Sequence, residues 1–200
     1  MIITLVRHGE IDNDYLGCYN GHIDISLSLK GIEASQQLAE HFKDTNFDAL
    51  YSSDLKRCKE TLQPIILEPK TQNSKPKTPP IQFTALLREK SWGKHEGMTF
   101  DTITARDGLV YKDFEQWINA LDGEPYDAYI ARIRHFFLEF LPSQPYDSVL
   151  VMTHAGVIRV LYAIVLELNL EKAFSLPFPY AASTTLNTEN WQFGELTCPN

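Results

Sequence analysis

The sequence is poor in basic residues. It has 18 Lys and Arg against 26 Asp and Glu in 200 residues, which gives a formal net charge of −8. Nucleic acids and membrane surfaces are themselves anionic, and they repel an acidic chain at long range. We therefore expect neither as a partner, and an anionic ligand would have to meet the few cations gathered at one place.

Cysteine and long apolar runs are also scarce. The three cysteines, Cys18, Cys58 and Cys198, are too few for a disulfide framework and suit a reducing compartment. The most apolar stretch, residues 155–168, is short for a membrane span and contains Arg159. These absences predict a cytoplasmic protein that does not bind membranes.

Apolar, β-branched runs alternate with amphipathic stretches along the chain. Strands are predicted at residues 2–6, 49–52, 81–87 and 148–153, and helices after Ser28, near Asp54, around Ile130 and over 157–168. Pro64 is expected to end or distort the second helix, and the runs 183–188 and 191–197 are expected to form a closing hairpin or edge of the sheet. The alternation predicts an α/β fold, a three-layer α/β/α sandwich with a mostly parallel central sheet. We expect one domain over residues 1–200, with a small lid insertion at about 97–127.

Polar residues directly follow three of the predicted strands. Arg7 and His8 follow the first strand, Arg57 lies in the first helical turn after the second, and His154 follows the strand at 148–153. The carboxyl ends of parallel strands meet at one edge of a sheet, so these side chains are expected to converge. Two arginines, two histidines and two helix N-termini would form a pocket suited to phosphate.

His8 is the best candidate for a nucleophile in such a pocket. Neighbouring cations disfavour a second positive charge, so the imidazole should be neutral and able to carry a phosphoryl group. The leaving oxygen needs an acid, and Glu89 is the candidate because bound phosphate favours its protonated form. No histidine or cysteine spacing typical of a metal site occurs, so we expect no metal and no cofactor.

Five segments occur in a characteristic order: LVRHGE at 5–10, YSSDLKR at 51–57, LREKSWGKHEG at 87–97, Gly123-Glu124, and VMTHAGVIR at 151–159. Together they resemble the motifs of the histidine phosphatase superfamily, also called the phosphoglycerate mutase-like family. The resemblance covers nearly the whole chain and implies the fold of that family. It also implies a metal-independent reaction, with His8 as phosphorylated nucleophile, Glu89 as proton donor, and Arg7, Arg57 and His154 as phosphate ligands.

The chain departs from the family at one position. Six residues after the nucleophile the family usually has an Asn that contacts phosphate, whereas this chain has Asp14, with Asn13 one place earlier. Either the loop shifts or this contact is lost.

The segment GCYNGH at 17–22 resembles the α-ribazole phosphatase branch of the family. The resemblance makes Asn20 and Gly21 candidate substrate-binding residues. It implies a phosphomonoesterase of small phosphorylated metabolites, with α-ribazole 5′-phosphate, an intermediate of cobalamin biosynthesis, as the leading substrate. Aromatic residues of the 97–127 segment could stack on such a ligand or simply pack a lid. A phosphoglycerate mutase-type phosphotransferase, a broad-specificity phosphatase and a non-catalytic phosphate-binding module stay open, as does a homodimer.

Overall fold

The structure, a computed structural model, describes residues 1–67, 79–108 and 112–198. Its strands are β1 (Ile2–Arg7), β2 (Ala49–Ser53), β3 (Ile81–Thr84), β4 (Ser148–Thr153), β5 (Ser183–Asn187) and β6 (Gln192–Phe193). They form one sheet in the order β3-β2-β4-β1-β5-β6. The four strands β1 to β4 run parallel, whereas β5 and β6 are antiparallel to their neighbours. This confirms the mostly parallel sheet and the closing hairpin.

Seven α-helices accompany the sheet in the described residues. They are α1 (Leu29–Phe42), α2 (Lys56–Leu67), α3 (Phe100–Asp107), α4 (Phe114–Ala120), α5 (Tyr126–Arg134), α6 (Ala155–Val165) and α7 (Leu170–Ser175). A π-helical turn, His135–Phe140, continues α5, and short 3-10 helices lie at Asn13–Tyr15, Ala85–Leu87, Gly93–His95 and Leu141–Ser143. None of the helices in the described part of the chain has the length and apolar character that a membrane span requires.

Strand periodicity explains why helices cover both faces of the sheet. In β4, Val149 and Val151 belong to one core with α5 and α6, while Leu150 and Met152 belong to a second core with α1 and α2. Successive side chains of a strand point to opposite faces, so a strand with an unbroken apolar run such as residues 149–152 requires a layer on each side. The α/β sandwich is therefore confirmed.

A predicted helix end and a predicted strand end were wrong. Helix α2 does not end at Pro64 but continues to Leu67, and the buried side chains of Leu62 and Ile65 hold its last turns in the core. The strand predicted over 81–87 ends at Thr84, whose hydroxyl accepts a hydrogen bond from the Leu86 amide and begins a 3-10 turn instead. That turn redirects the chain towards Glu89 at the edge of the sheet.

The segment 97–127 is mostly helical in its described part, since it contains α3 and α4; residues 109–111 lie outside the described residues. Ile103 of α3 and Ile118 of α4 are buried in the same core as the sheet. The segment therefore packs on the body of the fold, and its function as a lid stays a prediction.

Candidate active site

A cavity of about 270 Å³ opens where β1, β2 and β4 end. Its lining includes all five residues predicted for catalysis and phosphate binding: Arg7, His8, Arg57, Glu89 and His154. The register of the sheet causes this convergence, because Arg7 lies opposite Thr153 and the His8 amide donates to the Thr153 carbonyl at 3.0 Å. The two histidines that follow these strands therefore lie side by side, with ring centroids 5.0 Å apart.

His8 is held as a neutral imidazole with one free nitrogen. Burial, and then the charges of Arg57 and Arg7, hold its pKa well below the ordinary value of 6.5. Its Nδ1 lies 2.8 Å from the Gly9 carbonyl, which can only accept, so the ring proton is on Nδ1. The lone pair of Nε2 is therefore available for nucleophilic attack.

His154 is a neutral ring with the opposite tautomer. Its Nδ1 accepts from Nε of Arg57 at 3.3 Å, so Nε2 carries the proton and donates to the Ser53 hydroxyl at 2.9 Å. Burial is the main reason that its pKa is well below 6.5, and Arg57 and His8 lower it further. His154 thus helps to fix the guanidinium of Arg57 beside His8.

Arg57 is almost fully buried, with 1% of its surface exposed. Its Nη1 donates to the Ile23 carbonyl at 2.9 Å, and its Nη2 donates to the carbonyls of Asn20 at 3.3 Å and Gly21 at 2.7 Å. A cation in the first turn of a helix opposes the helix dipole. The carbonyls of the 20–23 loop accept hydrogen bonds from the guanidinium, which offsets the unfavourable interaction with the helix dipole and holds the positive charge at the cavity.

Glu96 in turn organises the 20–23 loop. One carboxylate oxygen accepts from the amides of Gly21 and Ile23, and the other accepts from the amides of His22 and Trp92, all at 2.8 to 3.1 Å. Four donors around one carboxylate fix the loop backbone so that its carbonyls face Arg57. Glu96 therefore does not line the cavity, but it fixes the loop that positions Arg57 there.

Arg7 brings a second cation. Its guanidinium carbon lies 3.8 Å from the centre of the Tyr180 ring, and its Nη1 donates to the Phe178 carbonyl. Its Nε is buried and has no acceptor among the described residues. A buried guanidinium donor without a partner is costly.

Glu89 lies at the N-terminus of α6. Its Oε2 accepts from the Gly156 amide at 2.9 Å, while Oε1 accepts from the Tyr129 hydroxyl at 2.6 Å and from the Lys90 amide at 3.0 Å. A Cβ at position 156 would lie 2.1 Å from Oε1 of Glu89, so a side chain there would displace the carboxyl group. The glycine of the 151–159 motif thus makes room for the carboxyl group.

Other predicted residues lie around the cavity. Asn20 lines it, whereas Gly21 does not and instead serves Arg57 and Glu96 through its backbone. Asn13 and Asp14 are exposed on a 3-10 turn and do not line the cavity. The position six residues after His8 therefore supplies no side chain to this pocket.

Two further histidines also have backbone or structural partners. His22 donates from Nε2 to the backbone carbonyl of Glu89 at 3.0 Å. His95 is buried between the Asp122 amide, which donates to Nδ1, and the Asp107 carboxylate, 2.7 Å from Nε2. Neither ring lines the cavity.

Sequence reasoning missed Arg159 and Tyr129. Arg159 lines the cavity one turn after Gly156 on α6, and its Nε donates to the Leu176 carbonyl at 3.0 Å. The three-residue spacing from Gly156 puts it on the same helix face, which is a signal that the sequence does contain. No sequence pattern links Tyr129 to the site, because its hydrogen-bond partner Glu89 is distant in the chain.

Aromatic side chains form one wall of the cavity. Tyr19, Trp92 and Trp117 all line it, and Nε1 of Trp117 donates to the Tyr19 hydroxyl at 2.9 Å. The rings of Tyr19 and Trp92 are 5.1 Å apart in an edge-to-face arrangement. This wall supplies apolar surface beside the charged groups.

No group of three or more His, Cys, Asp or Glu side chains that could hold a metal ion occurs among residues 1–67, 79–108 and 112–198.

A parallel sheet that gathers neutral histidines, arginines and a carboxyl group at its carboxyl edge defines an enzyme of phosphate esters. Residues 3–198 match the histidine phosphatase superfamily (branch 1), and the chain belongs to that family. It is a phosphatase.

Named relatives agree with this assignment. Over 166 residues the chain is 28% identical to the adenosylcobalamin/alpha-ribazole phosphatase of Escherichia coli (strain K12), a match covering 82% of this chain and 78% of the relative. A broad-specificity phosphatase of Saccharomyces cerevisiae is 28% identical over 164 residues, 80% of this chain and 67% of that protein. The alpha-ribazole phosphatase structure from Shigella flexneri shares the fold, with a TM-score of 0.81, 22% identity, and coverage of 100% of this chain and 96% of that one.

Proposed function

We propose that the enzyme hydrolyses phosphomonoesters through a phosphohistidine intermediate at His8. The observation that carries this proposal is the hydrogen bond from Nδ1 of His8 to the Gly9 carbonyl, which leaves Nε2 as a neutral nucleophile in the cavity. Attack forms the Nε2–P bond and breaks the P–O ester bond, while Glu89 gives its proton to the leaving oxygen. Water then attacks phosphorus, the N–P bond breaks, and the water proton returns to the Glu89 carboxylate.

Arg7 and Arg57 are the proposed phosphate ligands. His154, whose Nδ1 accepts from Arg57 and whose Nε2 donates to Ser53, is proposed to serve the phosphate site indirectly, by holding the Arg57 guanidinium. Arg7 lines the cavity, where its guanidinium can donate to a phosphate oxygen, and the buried Arg57 supplies charge in a site of low dielectric constant. Both arginines are already fixed by backbone carbonyls, so little reorganisation is needed when the transferring phosphoryl group becomes more negative. Asn20 lines the same cavity and is the proposed contact to the alcohol portion of the substrate.

The leading substrate we propose is α-ribazole 5′-phosphate. Two features support it: the relative from Escherichia coli that carries this activity in its name, and the aromatic wall of Tyr19, Trp92 and Trp117, which suits a planar base. Arg159 favours a second candidate, a broad-specificity phosphatase that also takes esters of hydroxy acids. Its guanidinium lines the cavity, and only its Nε is bonded within the described residues, so its other donors can meet a carboxylate.

We further propose that the segment 97–127 closes over the substrate, since Trp117 of α4 lines the cavity. A cytoplasmic location is also proposed, because its reducing environment suits cysteines that are free.

A substrate panel tests the function. It contains α-ribazole 5′-phosphate, 3-phosphoglycerate, and sugar and nucleotide monophosphates, each with and without a chelator. We expect hydrolysis that the chelator leaves unchanged and that His8→Gln abolishes. His41→Gln is the matched control, because His41 is exposed on α1 outside the cavity. Turnover retained by His8→Gln, or lost on chelation, contradicts the mechanism, and isomerisation of phosphoglycerate that exceeds hydrolysis would instead establish a phosphotransferase.

A further inference from the structure

Helix α5 contacts the segment around Glu89 through two side chains that lie one helical turn apart. Arg132 donates to the Leu86 carbonyl at 2.7 Å and to the Glu89 carbonyl at 3.0 Å, so it fixes the backbone on both sides of Arg88. Tyr129 donates from its hydroxyl to Oε1 of Glu89 at 2.6 Å and so fixes the side chain. The carboxyl group and its backbone are thus held from the same helix face.

The Arg132 guanidinium is itself held in place. It forms a bidentate ion pair with Glu124, with Nε to Oε1 at 2.7 Å and Nη2 to Oε2 at 2.9 Å. Its guanidinium carbon also lies 4.6 Å from the centre of the Tyr129 ring. A cation over the ring makes the phenol a stronger hydrogen-bond donor, because it withdraws electron density from the hydroxyl. Burial and the charge of Glu89 raise the pKa of Tyr129 well above 10, so its hydroxyl keeps its proton at the pH where the enzyme works.

The two oxygens of Glu89 differ in how many acceptor positions remain open. A carboxylate oxygen has about two lone-pair positions. Oε1 uses both, for the Tyr129 hydroxyl and the Lys90 amide, whereas Oε2 accepts from the Gly156 amide alone among the described residues. When Glu89 is protonated, the proton therefore goes to Oε2. Gly156, the partner of Oε2, lines the cavity together with Glu89, whereas Tyr129 and Lys90, the partners of Oε1, do not, and we infer from this that Oε2 faces the substrate.

We propose that Tyr129 is a positioning residue that directs the transferable proton of Glu89 to Oε2. This proposal rests on the proposed function of Glu89 as the acid that protonates the leaving oxygen. With Tyr129 in place, the proton leaves Oε2 for the ester oxygen as the P–O bond breaks. Without the hydroxyl, Oε1 has an open position that the proton can occupy, and the carboxyl group can rotate away from the substrate.

The test compares Tyr129→Phe with the wild-type enzyme on phenyl phosphate and 4-nitrophenyl phosphate. The two esters are similar in shape, but phenolate is much the poorer leaving group and depends on the acid. We expect kcat/KM for phenyl phosphate to fall about tenfold, in line with the loss of one hydrogen bond to a charged group, and that for 4-nitrophenyl phosphate to fall less than about twofold.

Tyr126→Phe is the matched control on the same helix. Tyr126 is also buried in α5, but its hydroxyl has no hydrogen-bond partner within the described part of the chain. This variant should hydrolyse both esters at the wild-type rate. Equal losses on the two esters in Tyr129→Phe, or no loss on phenyl phosphate, would overturn the positioning role.

Glu89→Gln separates this proposal from the function on which it rests. If Glu89 is the acid, Glu89→Gln lowers kcat/KM far more for phenyl phosphate than for 4-nitrophenyl phosphate. If Glu89→Gln shows that preference and Tyr129→Phe does not, the positioning role fails while the acid assignment stands. If Glu89→Gln shows no preference, the acid assignment itself fails. Thermal unfolding of each variant establishes that these losses do not reflect loss of the fold.

Discussion

A single methyl group added at Gly156 tests how closely the position of Glu89 controls catalysis. In Gly156→Ala the new Cβ would lie 2.1 Å from Oε1 of Glu89 and 2.8 Å from Oε2. Atoms cannot approach so closely, so the carboxyl group has to move by about 1 Å. A misplacement of that size in a catalytic group lowers the rate on the order of 100-fold. We expect such a loss in kcat/KM for an ester with a poor leaving group, such as phenyl phosphate.

The stability of Gly156→Ala should change little. Alanine favours a helix over glycine by about 1 kcal/mol, and the lost hydrogen bond from the Gly156 amide to Glu89 costs a similar amount. Steady-state kinetics measures the expected loss of kcat/KM, and chemical unfolding measures the free energy of unfolding, which should stay nearly unchanged. In a Glu89→Ala background the obstacle is gone, so Gly156→Ala should cause no further loss of activity. A full-size second loss there, or wild-type activity in the single variant, would refute the reasoning.

Three further predictions follow from contacts around the cavity. Glu96→Gln replaces a carboxylate that accepts hydrogen bonds from four backbone amides. The variant should weaken inhibition by inorganic phosphate about tenfold and lower the free energy of unfolding by about 2 kcal/mol. Unchanged inhibition would contradict the link between Glu96 and the phosphate site. Arg159→Gln should lower kcat/KM about tenfold for 3-phosphoglycerate but not for glycerol 3-phosphate, which lacks the carboxylate; equal effects would remove its proposed contact. The folded-state pKa values of His8 and His154 are well below 6.5, so below about pH 6.5 the unfolded chain binds more protons and the free energy of unfolding falls as the pH falls. Each histidine adds a slope of up to about 1.4 kcal/mol per pH unit, which His154→Gln should reduce in denaturant titrations from pH 8 to pH 5.

Most of the architecture follows from local patterns in the sequence. The apolar runs before His8 and His154 predicted parallel strands, and Ser28 predicted the start of α1, where its hydroxyl accepts from the Gly31 amide. Those patterns succeed because strand periodicity and helix caps depend on neighbouring residues. Pro64 shows the limit: its local effect on a helix is overridden by the burial of the residues around it.

The candidate site divides in the same way. Arg7, His8 and His154 could be placed together from the sequence, because strand ends of a parallel sheet meet at one edge. The contacts of Tyr129 and Glu96 could not, since each joins segments that are distant in the chain, and no periodicity encodes such a pairing. The need for glycine at position 156 likewise becomes clear only from the structure, which places the Glu89 carboxyl group beside it.

The central claim is that His8 carries the phosphoryl group, and the most direct test is to trap that intermediate in Glu89→Gln. With 4-nitrophenyl phosphate the first step needs no acid, whereas the second step lacks the base that activates water, so the phosphoenzyme should accumulate. We predict a burst of nitrophenolate equal to the enzyme concentration, and a phosphoryl group found on Nε2 of His8 by mass spectrometry and NMR at neutral pH. Rapid hydrolysis without a burst, or phosphate on another residue, would contradict the account.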